Sequence, residues 1–462
     1  MRTLTNFLIL TFILSAGIVR AQDNGTCAQN LSIFYESVKI KNYDVAYEPW
    51  VAVRQECPSL NINIYTSGEK LLKARIKAAD ATTKNAEIQD LVKLYDQWIQ
   101  YFPLRKGKSL KGNILSKKAK LLLDTKTGTT EEIFAIFDEA FTTDIKSFSD
   151  FQRLYLYFES MHELYKKGNS GITAEKLFDK YEEVSEKLEL EGTITSKKLD
   201  NILNKETAGK ALSKKDLRNK KIYDRKLTQL SKVIKNLDAI ISIESSCENL
   251  IPLYQRNFEE NKNNSVWLNR AASRMKNKEC SDDPLFVTIV EALHTIDPSA
   301  NSAYYLGILN DKRGNSSEAL RYYEESITLQ TDPYKKAKIL LKIAKEFEAR
   351  GRKSKARSYA NKALKFQPSL GSAYLLISRL YASSANSCGT TQFEKRAIYW
   401  LAAETARKAG RVDASLKKTA EQNALSHEGR APSKTDIFTE GNAGTVIEFS
   451  CWFKGSVKVP NL

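Results

Sequence analysis

The stretch from Ser299 to Pro368 decides the fold of this chain. It reads SANSAYYLGILNDKRGNSSEALRYYEESITLQTDP, followed by YKKAKILLKIAKEFEARGRKSKARSYANKALKFQP. Small and large apolar residues recur at matching offsets in the two halves, with Gly314 or Gly351 in the middle and Pro333 or Pro368 at the end. A unit of roughly 34 residues with a central turn glycine predicts a repeated helix–turn–helix pair.

The same unit recurs elsewhere with less regularity. Residues 31–58 carry Ala46, Trp50, Val53 and Pro58 at the offsets that Ala356, Ala360, Ala363 and Pro368 occupy in the clear repeat. Looser helix pairs are predicted over 62–103, 115–148 and 150–190, and again from 247 to 298. Most of the chain is therefore predicted to form helix pairs, which stack in one dimension and do not need a larger core.

The N-terminus reads as a secretory signal. Arg2 supplies the positive start, residues 7–18 are apolar but too short to span a bilayer, and small residues precede Gln22, where we expect cleavage after residue 21. Loss of Arg2 and Arg20 changes the formal charge from +17 to +15. We therefore expect an exported, periplasmic protein with no transmembrane segment in the mature chain. Its positive net charge favours acidic partners or an anionic surface.

Six cysteines behind a signal sequence predict disulfides. In a helix hairpin the start of the first helix lies beside the end of the second. Cys27 and Cys57 bracket one predicted hairpin, and Cys247 and Cys280 bracket another. We pair them accordingly and assign the remaining Cys388 to Cys451. A zinc site is disfavoured because the sequence has no CxxC and three widely spaced histidines.

Residues 196–236 change character, because thirteen basic residues there face four acidic ones. The basic patch is densest over residues 214–226 and comprises Lys214, Lys215, Arg218, Lys220, Lys221, Arg225 and Lys226. Leu227, Leu230, Ile234, Leu237 and Ile241 fall on one helical face, which favours a connecting helical pair with a solvated basic side. The alternative is a patch that binds a polyanion or a membrane surface. An exported protein meets little nucleic acid, so we expect no such partner.

The C-terminal stretch changes period. Apolar and polar residues alternate from Val446 to Trp452 between glycine-rich turns, which predicts a short β-hairpin. A Cys388–Cys451 bond would attach this hairpin to the last helices as a cap. The predicted organisation is a signal peptide (1–21), N-terminal repeats (22–195), a basic helical connector (196–246), a C-terminal array (247–385), and a helical pair with the hairpin cap (386–462).

The repeat pattern resembles the tetratricopeptide repeat (TPR). The combination of KNYDVAYEPWVAVRQECP, SCGTTQFEKRAIYWLAAETARKAG and a closing CWFKGSVKV is similar to a group of exported TPR proteins found in Bacteroidota. This resemblance implies an all-α, TPR-like right-handed solenoid of antiparallel helix pairs in the periplasm, and it offers no enzymatic activity to carry over to this chain.

In TPR arrays the first helix of each pair lines a groove that holds a partner segment. The resemblance therefore implies a partner-binding groove formed by Tyr304, Ile308, Asp311, Lys312, Lys338, Lys345 and Arg379. Its cations suit an acidic segment, and Tyr304 would be an aromatic anchor. The residues do not reproduce the paired Lys/Asn pattern of TPR clamps that hold a C-terminal carboxylate.

No catalytic motif is recognised: G-x-S-x-G, P-loop, H-E-x-x-H and G-x-G-x-x-G are all missing from the sequence. We expect no catalytic residues, metal or cofactor. The favoured function is a non-enzymatic periplasmic scaffold for protein–protein interaction in a cell-envelope complex. The alternatives are a basic adaptor that docks on an anionic envelope polymer or membrane surface, and an enzyme whose site the sequence does not reveal.

Overall fold

The structure is a computed structural model that describes residues 24–168 and 171–462. The predicted signal peptide lies outside the described residues. The chain divides after Phe148 into two compact units. The first unit contains, in order, α1 (Asn24–Lys39), α2 (Tyr43–Glu56), α3 (Asn63–Ala78), α4 (Lys84–Tyr101), β1 (Leu104–Arg105), β2 (Lys108–Ser109), α5 (Lys111–Thr125) and α6 (Thr130–Asp144).

In the first unit α1 to α6 form three successive pairs, and the short β1–β2 hairpin, which the sequence did not suggest, precedes the third. The contact between the first two pairs is centred on the fully buried Trp50 of α2, whose indole Nε1 donates a hydrogen bond to the carbonyl of Ile64 at 2.9 Å. Gly68 of α3 lies against the same ring, and a Cβ atom there would lie 2.5 Å from Nε1. Only glycine lets the two helices approach this closely.

The second unit begins with α7 and a long helical hairpin. The remaining helices then continue to the C-terminal strands. These elements are α7 (Phe151–Lys167), α8 (Ala174–Thr207), α9 (Lys214–Glu244), α10 (Cys247–Asn261), α11 (Ser265–Asn277), α12 (Pro284–Ile296), α13 (Ala300–Lys312), α14 (Ser316–Leu329), α15 (Pro333–Ala349), α16 (Lys353–Phe366), α17 (Gly371–Ala382), α18 (Gln392–Val412), α19 (Lys417–Glu428), α20 (Lys434–Glu440), β3 (Val446–Ser450) and β4 (Lys454–Lys458).

Four helix pairs follow α10: α11–α12, α13–α14, α15–α16 and α17–α18. Their small residues explain the pairing. A Cβ atom on Gly307 of α13 would lie 2.5 Å from the ring of Tyr323 on α14, while Gly314 takes a φ of +82° in the turn between them. Ser326 of α14 is fully buried and donates its hydroxyl to the carbonyl of Ala300 on α13. The small residues that recur over residues 299–368 are thus the ones at which the two helices of a pair pack closely.

The hairpin α8–α9 has no counterpart in the repeat pattern, since its helices have 34 and 31 residues. Ser213 caps α9 in a capping box with Asp216. Gly192 of α8 lies against Leu230 of α9, where a Cβ atom would lie 2.5 Å from Cδ2. The predicted boundary between residues 195 and 196 lies inside α8, because no breaker residue interrupts the helix there.

The C-terminal cap has the predicted type of structure. β3 and β4 form an antiparallel pair with Ile447 opposite Val457. The short helix α20, which the sequence did not predict, precedes them. Phe453 packs on Tyr381 of α17 with ring centroids 4.6 Å apart, and the indole of Trp452 donates a hydrogen bond to Ser384 Oγ at 2.9 Å. α18 packs on α17 and on α19, so it joins the last repeat to the C-terminal helices.

The three predicted disulfides are present: Cys27–Cys57, Cys247–Cys280 and Cys388–Cys451. The first two join the start of one helix to the end of the next, and the third holds the hairpin to the loop before α18. The all-α fold of stacked helix pairs with a C-terminal β-hairpin is confirmed. Among the described helices, none combines the length and the apolar character that a membrane crossing requires.

Candidate functional site

The first helices of the four pairs, α11, α13, α15 and α17, define the face on which the sequence placed a partner groove; we call it the first-helix face. Three predicted groove residues are buried and unavailable to a partner. Tyr304 is 4% exposed, Ile308 is fully buried, and Asp311 is 2% exposed. The prediction is wrong for these three residues, because neighbouring pairs in the array pack over the side of α13 that was assigned to the groove.

Internal contacts account for the buried polar groups. The hydroxyl of Tyr304 hydrogen-bonds with Glu346 Oε1 on α15 at 3.3 Å, and its ring lies 6.2 Å from that of Tyr323. Asp311 pairs with Arg350, whose Nε lies 2.7 Å from Oδ2. Both side chains therefore join α13 to the following repeat.

The predicted cations are at the surface, but most already have partners. Lys312 pairs with Asp282 at 2.5 Å, and Arg379 pairs with Glu348 at 2.8 Å. Lys338 pairs with Glu189 of α8 at 2.8 Å. Lys345 is exposed and forms no ion pair with any residue that the structure describes. Three of these four cations thus have partners within the chain, and that of Lys338 is a carboxylate of the long hairpin α8–α9.

Helix α8 brings a row of carboxylates to the first-helix face. Asp179, Glu182, Glu186 and Glu189 lie at i, i+3, i+7 and i+10, which places them on one side of α8. Arg270 of α11 lies 3.7 Å from Asp179 and 3.6 Å from Glu186. The face predicted to bind an acidic segment therefore already holds one.

The Arg274 contact is the most enclosed of this set. Its side chain is 5% exposed, and Nη2 lies 3.0 Å from Glu182 Oε1 and 3.1 Å from the carbonyl oxygen of Phe178. Arg274 also donates to the hydroxyl of the buried Tyr254. Burial raises the pKa of Glu182, although Arg274 favours the charged carboxylate. The guanidinium thus ties α8 to both α10 and α11.

A second buried contact lies near the other end of α8. Asp200 is 3% exposed; it accepts the hydroxyl proton of Tyr334 on α15 and the backbone N–H of Ser369 at 2.9 Å. Burial raises the pKa of Asp200, and these two donors oppose the shift. Lys197 adds an ion pair with Asp332 at 3.2 Å. The contacts between α8 and the first-helix face thus extend from α11 to the loop before α17.

The lysines of this face also affect the pKa of Glu189 on α8. Burial would raise the pKa of Glu189, but Lys338, followed by Lys342 and Lys335, lowers it below its usual value. The lysines of α15 therefore stabilise the ionised form of an α8 carboxylate. In this structure the face is in contact with the acidic side of α8.

The basic patch lies on α9, the partner of α8 in the hairpin. Lys214, Lys215, Arg218, Lys221, Arg225 and Lys226 are exposed, whereas Lys220 is partly buried and pairs with Glu206 at 2.6 Å. The buried side of α9 carries Leu230, Val233, Leu237 and Ile241. Ile234, which the sequence placed on that side, is 39% exposed, and Val233 takes its place.

The His, Cys, Asp and Glu side chains of the described residues form no metal centre. Among residues 24–168 and 171–462, no group of three or more His, Cys, Asp or Glu side chains is arranged to hold a metal ion. The three histidines have separate surroundings: His162 lies 3.7 Å from Glu244, His294 lies 3.5 Å from Glu325, and His427 contacts Arg430. Burial and the charge of Arg430 lower the pKa of His427.

A search of protein-family models finds no match to this chain. A curated relative, photosystem I assembly protein Ycf3 of Cuscuta obtusiflora, is 30% identical over 137 residues, which cover 82% of that protein and 27% of this chain. The chain belongs with this relative to the tetratricopeptide repeat (TPR) family. Ycf3 of Cuscuta gronovii is 29% identical over 146 residues, covering 87% of that protein and 29% of this chain. The similarity is thus confined to less than a third of this TPR protein.

Solved structures with related helix arrays include other repeat proteins. A tetratricopeptide repeat protein from Parabacteroides merdae is 12% identical with a TM-score of 0.24, covering 68% of this chain and 97% of its own. Yeast Tom70 is 12% identical with a TM-score of 0.23, covering 90% of this chain and 99% of its own. The comparisons indicate no catalytic family.

Proposed function

We propose that this TPR protein is a non-enzymatic scaffold that is exported to the periplasm and holds a protein partner in a cell-envelope complex, as the exported TPR proteins of Bacteroidota are expected to do. The observation that carries the proposal is the contact between α8 and the first-helix face. In this contact Arg270, Arg274 and Lys338 pair with carboxylates of an acidic helix of the chain itself, which supports an acidic partner segment. A partner protein would be bound by the same chemistry.

Export is supported by the cysteines. All six form disulfides, and such bonds persist in oxidising compartments. The predicted signal sequence agrees with this location. Fusion of the full chain to a reporter that is active only outside the cytoplasm tests export directly. Non-reducing peptide mapping of the native protein should recover the Cys247–Cys280 peptide, and free thiols at these positions would contradict a periplasmic location.

The scaffold itself is tested by affinity purification of the full chain from the native envelope, with and without crosslinking. A defined protein should co-purify in a fixed ratio and persist at high salt, because a specific interface buries apolar as well as charged surface. If no protein is enriched under either condition, the scaffold proposal is wrong.

A second candidate function is docking on an anionic envelope polymer or membrane surface. One observation favours it: the exposed cations of α9, from Lys214 to Arg225, have no ion-pair partner among the described residues except at Lys220. Such docking would weaken steeply with salt, because exposed charges are screened. The salt dependence of binding therefore separates the two candidates.

A further inference from the structure

One side of α9 carries a continuous row of cations. We call it the α9 stripe, and it consists of Lys214, Arg218, Lys221, Arg225, Lys232 and Lys235. All six are exposed, and none forms an ion pair with a residue that the structure describes. With a rise of about 1.5 Å per residue, the row is about 32 Å long with a cation at about every 5 Å over its first half.

The orientation of the stripe follows from the packing of α9. The buried residues, from Leu230 to Ile241, are on the opposite side of the helix and pack α9 onto α7 and α8. Two acidic residues of α9 are engaged away from the stripe: Asp216 caps the helix with Ser213, and Asp238 accepts a hydrogen bond from the hydroxyl of Tyr181 at 2.6 Å. A third, Asp224, is partly buried and lies between Lys221 and Arg225 in the sequence. The stripe is therefore a predominantly basic surface on one side of a packed helix.

Such a row opposes the stability of its own helix. Like charges at i, i+3 or i, i+4 destabilise a helix by about 0.2–0.5 kcal/mol per pair. Lys214 with Arg218, Arg218 with Lys221, and Lys221 with Arg225 are three consecutive pairs of this kind. Several basic residues of α8 differ, and Lys187 and Lys197, for example, each pair with a carboxylate. The α9 stripe has no such compensation within the described chain.

We propose that the α9 stripe is the docking surface for an acidic helix of the partner protein, with carboxylates at i, i+4, i+7 and i+11. This inference rests on the proposed scaffold function and names the surface and the partner's chemistry. The chain provides the precedent, because α8 presents Asp179, Glu182, Glu186 and Glu189 in a row of similar period to basic side chains. The first-helix face is occupied by α8, so the stripe is the basic surface left for a second acidic helix.

The ends of the stripe favour a protein over a polymer or a bilayer. Leu217 is 55% exposed beside Lys214, and Ile243 is 74% exposed on the stripe side beyond Lys235. Two isolated aliphatic contacts suit the apolar residues of an amphipathic helix. Helices that lie in a membrane surface instead carry a broad apolar face with several large side chains, and the exposed side of α9 has no aromatic residue.

The test uses the full chain and a synthetic helical peptide of about 22 residues, matched to the length of the stripe. The peptide carries Glu at i, i+4, i+7, i+11, i+18 and i+21 and a hydrocarbon staple on its other side. A second peptide has the same composition and staple, with the Glu residues distributed around the helix. Dissociation constants are measured by fluorescence anisotropy, and vesicles with and without anionic lipid and a long polyglutamate serve as the competing ligands.

The stripe variant is Lys214→Glu, Arg218→Glu, Lys221→Glu and Arg225→Glu. The control variant makes the same change in net charge at exposed lysines outside the stripe, Lys365→Glu, Lys417→Glu, Lys418→Glu and Lys434→Glu. Both variants are checked for native helicity and unfolding transition before binding is measured. A third peptide has Lys in place of the aligned Glu residues. It should bind the stripe variant, and such binding would show that the variant is folded and that its loss of the Glu peptide is due to the reversed charge.

We expect the aligned peptide to bind at least about 10-fold more tightly than the redistributed peptide, and the stripe variant to lose this binding while the control variant retains it within about 3-fold. Equal binding of the two peptides, or equal loss in the two variants, would overturn the inference in favour of unspecific attraction. Stripe-dependent binding of anionic vesicles or polyglutamate without binding of the aligned peptide would also overturn it.

The envelope purification separates this inference from the scaffold proposal. If a partner co-purifies with the wild-type chain and the control variant but not with the stripe variant, both stand. If the stripe variant retains the partner in full, the inference about the α9 stripe is wrong and the scaffold proposal stands. If no partner is found with the wild-type chain, the scaffold proposal fails whatever the peptides show.

Discussion

The two helices of the long hairpin have opposite surroundings. α8 turns a row of carboxylates to the basic first-helix face, where Arg274 is 5% exposed and Glu182 lies 3.0 Å away. α9 turns a row of cations to solvent, with no carboxylate of the described chain opposite Arg218 or Arg225. A charged run thus contributes to the fold where packing encloses it, as on α8. It is available for binding where packing leaves it exposed, as on α9.

The largest effect is expected from Arg274→Met. It leaves the enclosed Glu182 carboxylate without its partner, and breaking such a pair costs about 3–5 kcal/mol of unfolding free energy. Urea unfolding at neutral pH measures the change. Arg270→Met is the matched control, since Arg270 is 17% exposed and its carboxylates lie at 3.6 and 3.7 Å. Equal losses in the two variants would contradict the distinction between enclosed and open contacts.

Tyr334→Phe should have the next largest effect. It removes the hydroxyl that donates to the buried Asp200, and a hydrogen bond to a charged group contributes about 1.5–3 kcal/mol. Tyr359→Phe is the control, because its hydroxyl donates to Glu324, whose side chain is 55% exposed. A loss in Tyr334→Phe no larger than in Tyr359→Phe would show that α8 is not held through Asp200.

Gly192→Ala tests the contact between α8 and α9 themselves. The new methyl group would overlap Leu230, which costs about 1–3 kcal/mol, while alanine improves the helix by about 1 kcal/mol. The net loss is therefore about 1 kcal/mol by urea unfolding. In a Leu230→Ala background the overlap disappears, so the same substitution should stabilise the chain by about 1 kcal/mol. A loss in both backgrounds would place the cause elsewhere.

The smallest effect is expected from Glu189→Gln, with a distinctive pH dependence. Lys338 and its neighbours lower the pKa of Glu189 in the folded chain, so its contribution is present above the unfolded pKa of Glu and is lost as pH falls through the folded pKa. At neutral pH the loss should be below about 1 kcal/mol, because the pair is partly exposed. Wild type and variant should converge in acid, and a difference that grows in acid would contradict the lowered pKa.

Much of the fold was predictable from local patterns. Two helices of a pair can approach closely only through small residues and a turn glycine. Such residues are evident in the sequence, for example at Gly307, Gly314, Ala319 and Ser326. Two of the disulfides followed from the hairpin rule, and the third was left by remainder. Short elements with weak patterns, such as β1–β2 and α20, were not predicted.

The candidate site was predicted less well. Lys338 was expected to face an acidic segment of a partner, whereas in the structure it pairs with Glu189 of the same chain, 149 positions away. Tyr304 and Asp311 were assigned to a groove because their helical spacing matched it, whereas the next repeat covers them. Helical spacing gives the side of a helix, and only the neighbouring helices decide whether that side is open.

By itself, the sequence determined the helix pairs, the turn glycines, the cysteine pairing and the basic character of residues 214–226. These properties depend on local spacing, which each segment of the chain carries with it. The tertiary structure alone decided that α8 occupies the first-helix face and that the cations of α9 point away from it. That outcome depends on contacts such as Arg274–Glu182 and Asp200–Tyr334, which join residues 92 and 134 positions apart and so leave no periodic trace in the sequence.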